Sequence, residues 1–269
     1  MKVFGTSVCK PLDSSVNEDS FRVSRQLIAV SDGAGGGGLF AEKWSKFLID
    51  NLPQNPILDY NSFCLWLDDL WEVFFKKYEQ VSINLGNFAL NKFYDEGSYA
   101  TLACVWIDET NHKYSWISYG DSVIFKYNRL SKSLLYTINN IANFNEPPFL
   151  INCIKPTKEE GFHFGQSSFD ANDLLFVATD ALSHYIILMY LISCNRLNDQ
   201  ILYAANQHSK NSLAIKNALY LRNVDFESIL NKLIRSSKNT ANFKRHLYSL
   251  FNNKLISSDD YSFVCACEI

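Results

Sequence analysis

Residues 27–38 read LIAVSDGAGGGG, an apolar run that ends in Asp32 and continues into a glycine-rich loop. Apolar residues bounded by glycine predict a short buried strand. A carboxylate at the end of such a strand, beside backbone that a ligand can approach closely, is typical of a metal site or a phosphate site. These two kinds of site make different demands on the rest of the sequence.

The glycines have the spacing of a nucleotide-binding loop. Gly33, Gly35 and Gly38 match the pattern G-x-G-x-x-G between a predicted strand and a predicted helix. Asp32 would repel a pyrophosphate, however, and the next predicted element after that helix is a second helix rather than a strand. No Lys-Ser or Lys-Thr follows the glycines, as a P-loop requires. A nucleotide site is therefore the weaker hypothesis.

A divalent cation site accounts for more of the sequence. The run LLFVATD at residues 174–180 is a second apolar run that ends in an aspartate, Asp180. Asp259 precedes the last predicted strand. A sheet holds such carboxylates rigidly. Mg²⁺ and Mn²⁺ prefer carboxylate and carbonyl oxygens together with water, and Gly33 offers an unobstructed carbonyl. Further acidic residues that raise the capacity to two or three ions are Glu18, Asp19 and Asp121.

The remaining patterns predict strands and helices in alternating blocks. Val-, Ile- and aromatic-rich runs predict strands, and apolar residues at helical spacing predict helices. The predicted strands are 2–8, 19–23, 27–31, 100–107, 114–118, 123–127, 134–138, 174–179 and a closing strand after Asp260, with the four at 100–138 forming an antiparallel meander. The predicted helices are 39–52, 61–81 and most of 181–252, and an irregular excursion is predicted at 139–172.

The composition is that of an ordinary globular chain. Its 269 residues are 47% hydrophobic and 20% charged, with a formal net charge of -3. Nucleic-acid affinity depends on clustered lysine and arginine, so this balance argues against a nucleic-acid partner. The first residues lack the apolar core of a signal peptide, and the apolar run at 185–192 is too short to span a membrane. We expect a cytoplasmic monomer with no membrane partner.

Six short motifs occur in a fixed order along the chain. They are Asn17-Glu18-Asp19, Ser31-Asp32-Gly33, GSYAT at 97–101, Tyr119-Gly120-Asp121-Ser122, Ala178-Thr179-Asp180 and Asp259-Asp260-Tyr261-Ser262. Each motif is weak alone, but their order resembles that of the metal-dependent protein phosphatases of type 2C. The resemblance covers nearly the whole chain. It implies an α+β fold, a four-layer α-β-β-α sandwich of two antiparallel sheets flanked by helices, formed by residues 1–269 as one domain.

Carried over to the matching positions, the resemblance implies two Mg²⁺ or Mn²⁺ ions and a weaker third. Asp32 would bridge two ions, and Gly33 would contribute its carbonyl oxygen. Asp180 and Asp259 would complete the inner position, so that the three aspartates act in catalysis through a metal-activated water. The other implied ligands are Glu18, Asp19 and, for the third ion, Asp121, with Asp260 beside them.

The implied reaction is hydrolysis of phosphoserine or phosphothreonine in a protein, without a phosphoenzyme. Divalent cations lower the pKa of water and neutralise charge on the phosphoryl oxygens. The implied partners are a phosphorylated protein and, commonly, a paired Ser/Thr kinase.

Departures from the family pattern keep two other functions open. Ser14 and Ser15 stand where many relatives carry a phosphate-binding arginine, and Lys10, Arg22 and Arg25 are candidate substitutes. One alternative is a phosphatase-like module that binds a phosphoprotein without turnover. The other is a hydrolase that acts on a small phosphoester.

A histidine that many relatives carry near the Asp-Gly motif, proposed there as a general acid, is also absent. His184 follows Asp180 by one turn of a predicted helix, so its ring is a candidate replacement. The other interpretation is a core histidine in an apolar helix.

Overall fold

The computed structural model describes residues 1–13, 16–196, 199–206 and 209–267. The strands are β1 (Lys2–Val8), β2 (Ser20–Val23), β3 (Leu27–Ser31), β4 (Tyr99–Ala100), β5 (Leu102–Asp108), β6 (Lys113–Tyr119), β7 (Val123–Asn128), β8 (Ser133–Tyr136), β9 (Ile151–Asn152), β10 (Phe162–Ser168), β11 (Asp173–Ala178) and β12 (Tyr261–Cys267). The helices are α1 (Ala41–Asp50), α2 (Tyr60–Leu85), α3 (Asn87–Glu96), α4 (Asp180–Ser193), α5 (Asp199–Asn206), α6 (Ser212–Ala218), α7 (Phe226–Ser237) and α8 (Thr240–Asn252).

Two five-stranded antiparallel sheets form the centre of the molecule. The first has the order β1-β12-β11-β7-β8 and the second the order β10-β6-β5-β3-β2, while β4 and β9 form a small separate pair. The first and last strands of the chain are neighbours, with Lys2 opposite Cys267. Segments distant in sequence therefore end side by side at the edges of the sheets.

Side-chain alternation in β3 shows why the sheets stack as layers. Ile28 and Val30 pack into the core between the sheets, where Val177 of the other sheet also lies. Leu27 and Ala29 point the opposite way, into a core that α1 and α2 close. A strand buried on both faces reads as a continuous apolar run, which is the pattern of residues 27–30.

The helices cover the outer face of each sheet. Helices α1, α2 and α3 pack on the second sheet, and helices from α4 to α8 pack on the first. The predicted α+β class, a four-layer α-β-β-α sandwich of two antiparallel sheets, is confirmed. Among the described residues, no helix is long and apolar enough to cross a membrane.

Two sequence predictions are wrong. The strands predicted as one meander are divided, because β5 and β6 belong to the second sheet and β7 and β8 to the first. The chain changes sheets at Gly120, whose φ of +93° favours glycine. The excursion predicted at 139–172 contains β10, which pairs with β6 along its whole length.

Candidate metal centre

Asp32 is held at the end of β3 by its neighbour across the sheet. The backbone N–H of Thr101 donates to the Asp32 carbonyl oxygen at 2.8 Å, and the Thr101 hydroxyl accepts from the Asp32 N–H at 3.2 Å. A β-carbon on Gly33 would lie 2.6 Å from the Glu18 carbonyl oxygen and 2.7 Å from that of Ala41. The Asp-Gly turn thus passes through a gap that admits only glycine.

Asp19 is oriented by two hydroxyl groups from the other sheet. Its Oδ2 atom accepts from Thr179 Oγ1 at 2.9 Å and from Ser262 Oγ at 2.8 Å. Its Oδ1 atom is buried and has no hydrogen-bond partner among the described residues. Buried polar atoms are nearly always partnered, so an unpartnered carboxylate oxygen here suits a cation ligand.

Asp180 and Asp259 meet because their strands are neighbours. Asp180 follows β11 and opens α4, whereas Asp259 precedes β12, and the antiparallel pairing of β11 with β12 brings these ends together. Between them lies Lys210, whose Nζ atom is 2.6 Å from Asp180 Oδ2 and 2.7 Å from Asp259 Oδ2. This lysine has no distinguishing sequence signal, because a lysine among polar residues between helices looks like any surface lysine.

The charges around Asp32 show that five aspartates gather at one place. Burial raises the pKa of Asp32 well above its usual range, and the negative charges of Asp19, Asp180, Asp259 and Asp121 raise it further. Such crowding of carboxylates is unfavourable without a nearby cation.

Two of these aspartates have pKa values near neutrality. Burial, and then the charge of Asp180, raise the pKa of Asp121 to about 7 and that of Asp259 to about 6, while Lys210 opposes both shifts.

Glu18 and Asp260 lie at the margin of this cluster. The Glu18 carboxylate packs against Gly35, where a β-carbon would collide with it. Burial raises its pKa and the charge of Lys10 lowers it. Asp260 accepts backbone N–H groups at both oxygens, from Lys10 at 2.7 Å and from Glu18 at 2.7 Å. Asp260 therefore positions the loop that carries Glu18 and Asp19.

The candidate substitutes for a phosphate-binding arginine have different surroundings. Arg22 donates to the Leu52 carbonyl oxygen at 3.1 Å, on the helix side of its sheet, and Arg25 lines a hollow with Trp106. Lys10 adjoins Glu18. Ser14 and Ser15 lie outside the described residues.

His184 lies close to Asp180 but inside the core. Its ring contacts Phe144 edge-on at 5.5 Å between centroids, and its Nε2 atom is buried without a partner among the described residues. Burial lowers its pKa to about 4, against the opposing charge of Asp180. A ring that stays neutral at pH 7 supports the core interpretation, and the acid role stays a prediction.

Individual donor atoms in one half of the cluster have the chemistry that a hard divalent cation prefers. Asp19 offers a buried free oxygen, and Asp32 and the Gly33 carbonyl supply further oxygens of the type that Mg²⁺ and Mn²⁺ prefer. In the other half, the Lys210 ammonium already bridges Asp180 and Asp259. Within the described ranges, no group of three or more His, Cys, Asp or Glu side chains is arranged to hold a metal ion.

A polar cavity opens beside the cluster. It has a volume of about 170 Å³ and is lined by Asp121, Ser122, Asn139, Asn143 and His163. A larger hollow of about 380 Å³ lies between α2 and residues 152–157, and none of the five aspartates lines it. Of these two cavities, the smaller one is lined by a member of the cluster, Asp121.

No family model and no curated protein sequence matches the chain. Its structure nevertheless aligns over the full length with serine/threonine phosphatase Stp1 from Staphylococcus aureus, with a TM-score of 0.58 and 15% identity, covering 100% of this chain and 95% of that one. The phosphatase PstP/Ppp of Mycobacterium tuberculosis aligns with a TM-score of 0.53 and 14% identity, covering 100% and 99%.

A third similar structure is the catalytic domain of the phosphatase PstP in complex with two manganese ions. It aligns with a TM-score of 0.55 and 15% identity, covering 98% of this chain and 96% of that one. At such identities the likeness establishes the fold. The chain therefore has the fold of the bacterial serine/threonine phosphatases, and the resemblance to the type 2C phosphatases is confirmed at that level.

Proposed function

We propose that this protein is a Mg²⁺- or Mn²⁺-dependent phosphatase that hydrolyses phosphoserine and phosphothreonine in proteins. One observation carries the proposal: five aspartates from five separate segments converge at the edge of the two sheets, where their charges raise the pKa of Asp32. A cluster of like charges that raises its own pKa values is a feature of functional sites. The known fold makes phosphoryl transfer to water the reaction that such a cluster would serve.

The chain's own residues have distinct tasks in this proposal. Asp19, Asp32 and the Gly33 carbonyl would hold a cation, with Asp121, Asp180 and Asp259 completing the acidic set and Glu18 at its margin. Divalent cations supply Lewis acidity, which acidifies a water nucleophile and neutralises phosphoryl charge. The hydroxyl groups of Thr101, Thr179 and Ser262 would hold Asp32 and Asp19 in position.

The cavity beside Asp121 supports a substrate that reaches the cluster as a side chain. Its volume of about 170 Å³ is small for a whole cofactor. Three carboxylates line it, Asp121, Glu146 and Glu160, so a phosphorylated side chain would enter together with a bound cation that offsets their charge. A phosphorylated protein, produced by a Ser/Thr kinase, is therefore the proposed partner.

The test is hydrolysis of a phosphothreonine peptide by the purified protein with Mn²⁺. Asp32→Asn is expected to lower kcat/KM by about a hundredfold or more, because metal-assisted chemistry contributes several kcal/mol. Asp95→Asn, which alters an exposed aspartate on α3, is the matched control and should keep the wild-type rate. Wild-type protein that binds Mn²⁺ and hydrolyses no phosphopeptide would contradict the proposal.

A second candidate function is a phosphoprotein-binding module without turnover. The observation in its favour is the Lys210 ammonium between Asp180 and Asp259, which provides charge neutralisation without a metal. Such a module would bind the phosphopeptide with or without EDTA and would release no phosphate. Comparison of the phosphopeptide with a generic aryl phosphate separates protein substrates from small phosphoesters.

A further inference from the structure

Lys210 holds the outward-facing oxygens of two aspartates. Its Nζ atom donates to Asp180 Oδ2 at 2.6 Å and to Asp259 Oδ2 at 2.7 Å. The other oxygen of each carboxylate is engaged by backbone, since Asp180 Oδ1 accepts from the Ala181 N–H and Asp259 Oδ1 accepts from the Asp260 N–H at 3.1 Å. Any ion that used both carboxylates through Oδ2 would meet the ammonium there.

The Lys210 side chain is placed so that its ammonium group can move away from the two carboxylates. Its side chain is 48% exposed although it contacts two carboxylates, so the ammonium can move directly into water. It lies just before α6, next to Ser209 and Asn211. Both neighbours have a buried polar atom without a partner among the described residues, Ser209 Oγ and Asn211 Oδ1. Asn211 is buried, and its Nδ2 atom donates to the Phe144 carbonyl oxygen at 3.5 Å, so the backbone here is held by contacts other than the two ion pairs of Lys210.

We propose that Lys210 and a divalent cation compete for the same position between Asp180 and Asp259. With Lys210 docked, the charge of Asp180 and Asp259 is partly offset, and metal binds only on the side of Asp19 and Asp32. A second ion enters when it displaces the Lys210 ammonium from the two carboxylates into water. The inference concerns metal binding, and it rests on the proposed function only in its consequence for turnover, which docked Lys210 would suppress.

The primary test is Mn²⁺ binding by calorimetry with the full-length protein and Lys210→Met. Removal of the competing charge should tighten the weaker Mn²⁺ site by about tenfold or more. Lys216→Met, which changes an exposed lysine on α6, is the control and should match wild type. Equal Mn²⁺ affinity in Lys210→Met and wild type would overturn the inference.

A second readout uses thermal unfolding. In EDTA, Lys210→Met should have a lower Tm than wild type, because two carboxylates lose their counter-ion, and Mn²⁺ should raise its Tm by more than that of wild type. A variant that gains no more from Mn²⁺ than wild type does would contradict competition.

If Lys210→Met does not fold, wild-type protein gives the answer through amine acylation followed by mass spectrometry. Saturating Mn²⁺ should increase acylation of Lys210 several-fold relative to Lys216, and an unchanged ratio would overturn the inference. Phosphopeptide hydrolysis separates the two proposals. If Lys210→Met binds Mn²⁺ more tightly but neither it nor the wild type hydrolyses the phosphopeptide, the competition is supported and the phosphatase proposal is contradicted. If the wild type hydrolyses the phosphopeptide but Mn²⁺ binding does not depend on Lys210, the phosphatase proposal is supported and the competition is contradicted.

Discussion

Asp19 and Thr179 are 160 positions apart in the chain and are joined by a hydrogen bond of 2.9 Å from Thr179 Oγ1 to Asp19 Oδ2. The same hydroxyl accepts from the Ser262 N–H at 3.0 Å. One threonine thus links the loop before β2, the end of β11 and the start of β12. The direction in which Asp19 presents its free oxygen depends on this link.

Thr179→Val should lower both stability and metal affinity. The substitution keeps the shape but leaves the buried Ser262 N–H without its side-chain partner and removes one donor from Asp19, at a cost of about 1–3 kcal/mol in the free energy of unfolding. Mn²⁺ affinity should fall by about tenfold or more, since partners of metal ligands orient them. Thr179→Ser retains the hydroxyl and is the control. Equal Mn²⁺ affinity of the two variants would contradict the assigned role.

Gly33→Ala should be destabilising where Gly36→Ala is neutral. A β-carbon at residue 33 meets two backbone oxygens within 2.7 Å, which cannot rotate away, whereas one at residue 36 meets nothing within 4 Å. We expect a loss of about 1–3 kcal/mol for Gly33→Ala and less than about 0.5 kcal/mol for Gly36→Ala. Urea unfolding measures both, and similar losses would show that the turn is not confined.

Asp121→Asn should stabilise the metal-free protein in a pH-dependent way. Burial raises the Asp121 pKa from its ordinary 3.8 to about 7. Between pH 3.8 and about pH 7, Asp121 is protonated in the folded state and ionised in the unfolded state. The contribution of Asp121 to the free energy of unfolding therefore falls as pH rises and is constant above about pH 7. The variant escapes this penalty, so its advantage in EDTA should be on the order of 4 kcal/mol at about pH 8 and small near pH 4.

The control for this experiment is Asp108→Asn. Hydrogen bonds from Asn111 lower the pKa of Asp108, so its substitution should reduce stability above the unfolded pKa and have less effect in acid. Advantages of the same sign in both variants would contradict the assigned cause.

His184→Gln should leave the pH–rate profile of phosphopeptide hydrolysis unchanged near neutrality. Burial lowers the His184 pKa to about 4, so at pH 7 the ring is neutral and not in the imidazolium form that acts as a general acid. The His184→Gln substitution should instead change the free energy of unfolding. The wild type loses stability as pH falls from about 6.5 towards 4, because the unfolded histidine gains a proton first, and the variant should lose less. A displaced alkaline limb in the rate profile would restore the acid role.

Sequence reasoning predicted the fold well where one local pattern determines the structure. The apolar run before Asp32 forms β3, and the run before Asp180 forms β11, as expected. The convergence of Asp32, Asp180 and Asp259 was implied by motif order, and the structure places their charges together.

Features that depend on tertiary contacts were not accessible in this way. Residues 100–138 have uniform strand character, and nothing in that pattern shows that Gly120 moves the chain from one sheet to the other. The role of Lys210 likewise depends on the packing that brings α6 to the ends of β11 and β12. Its two carboxylate partners lie 30 and 49 residues away.

The division of the strands between two sheets determines when the carboxylate cluster can form as the newly synthesised chain folds. Asp19 and Asp32 flank strands of one sheet, Asp180 and Asp259 flank strands of the other, and Asp121 lies where the chain passes between them. Neither sheet alone contains the cluster. A nascent chain can therefore assemble all five aspartates only after both sheets have packed together, and an ion held by aspartates of both sheets would then stabilise their contact. Occupancy of the complete cluster by metal would then indicate that the two sheets have packed together.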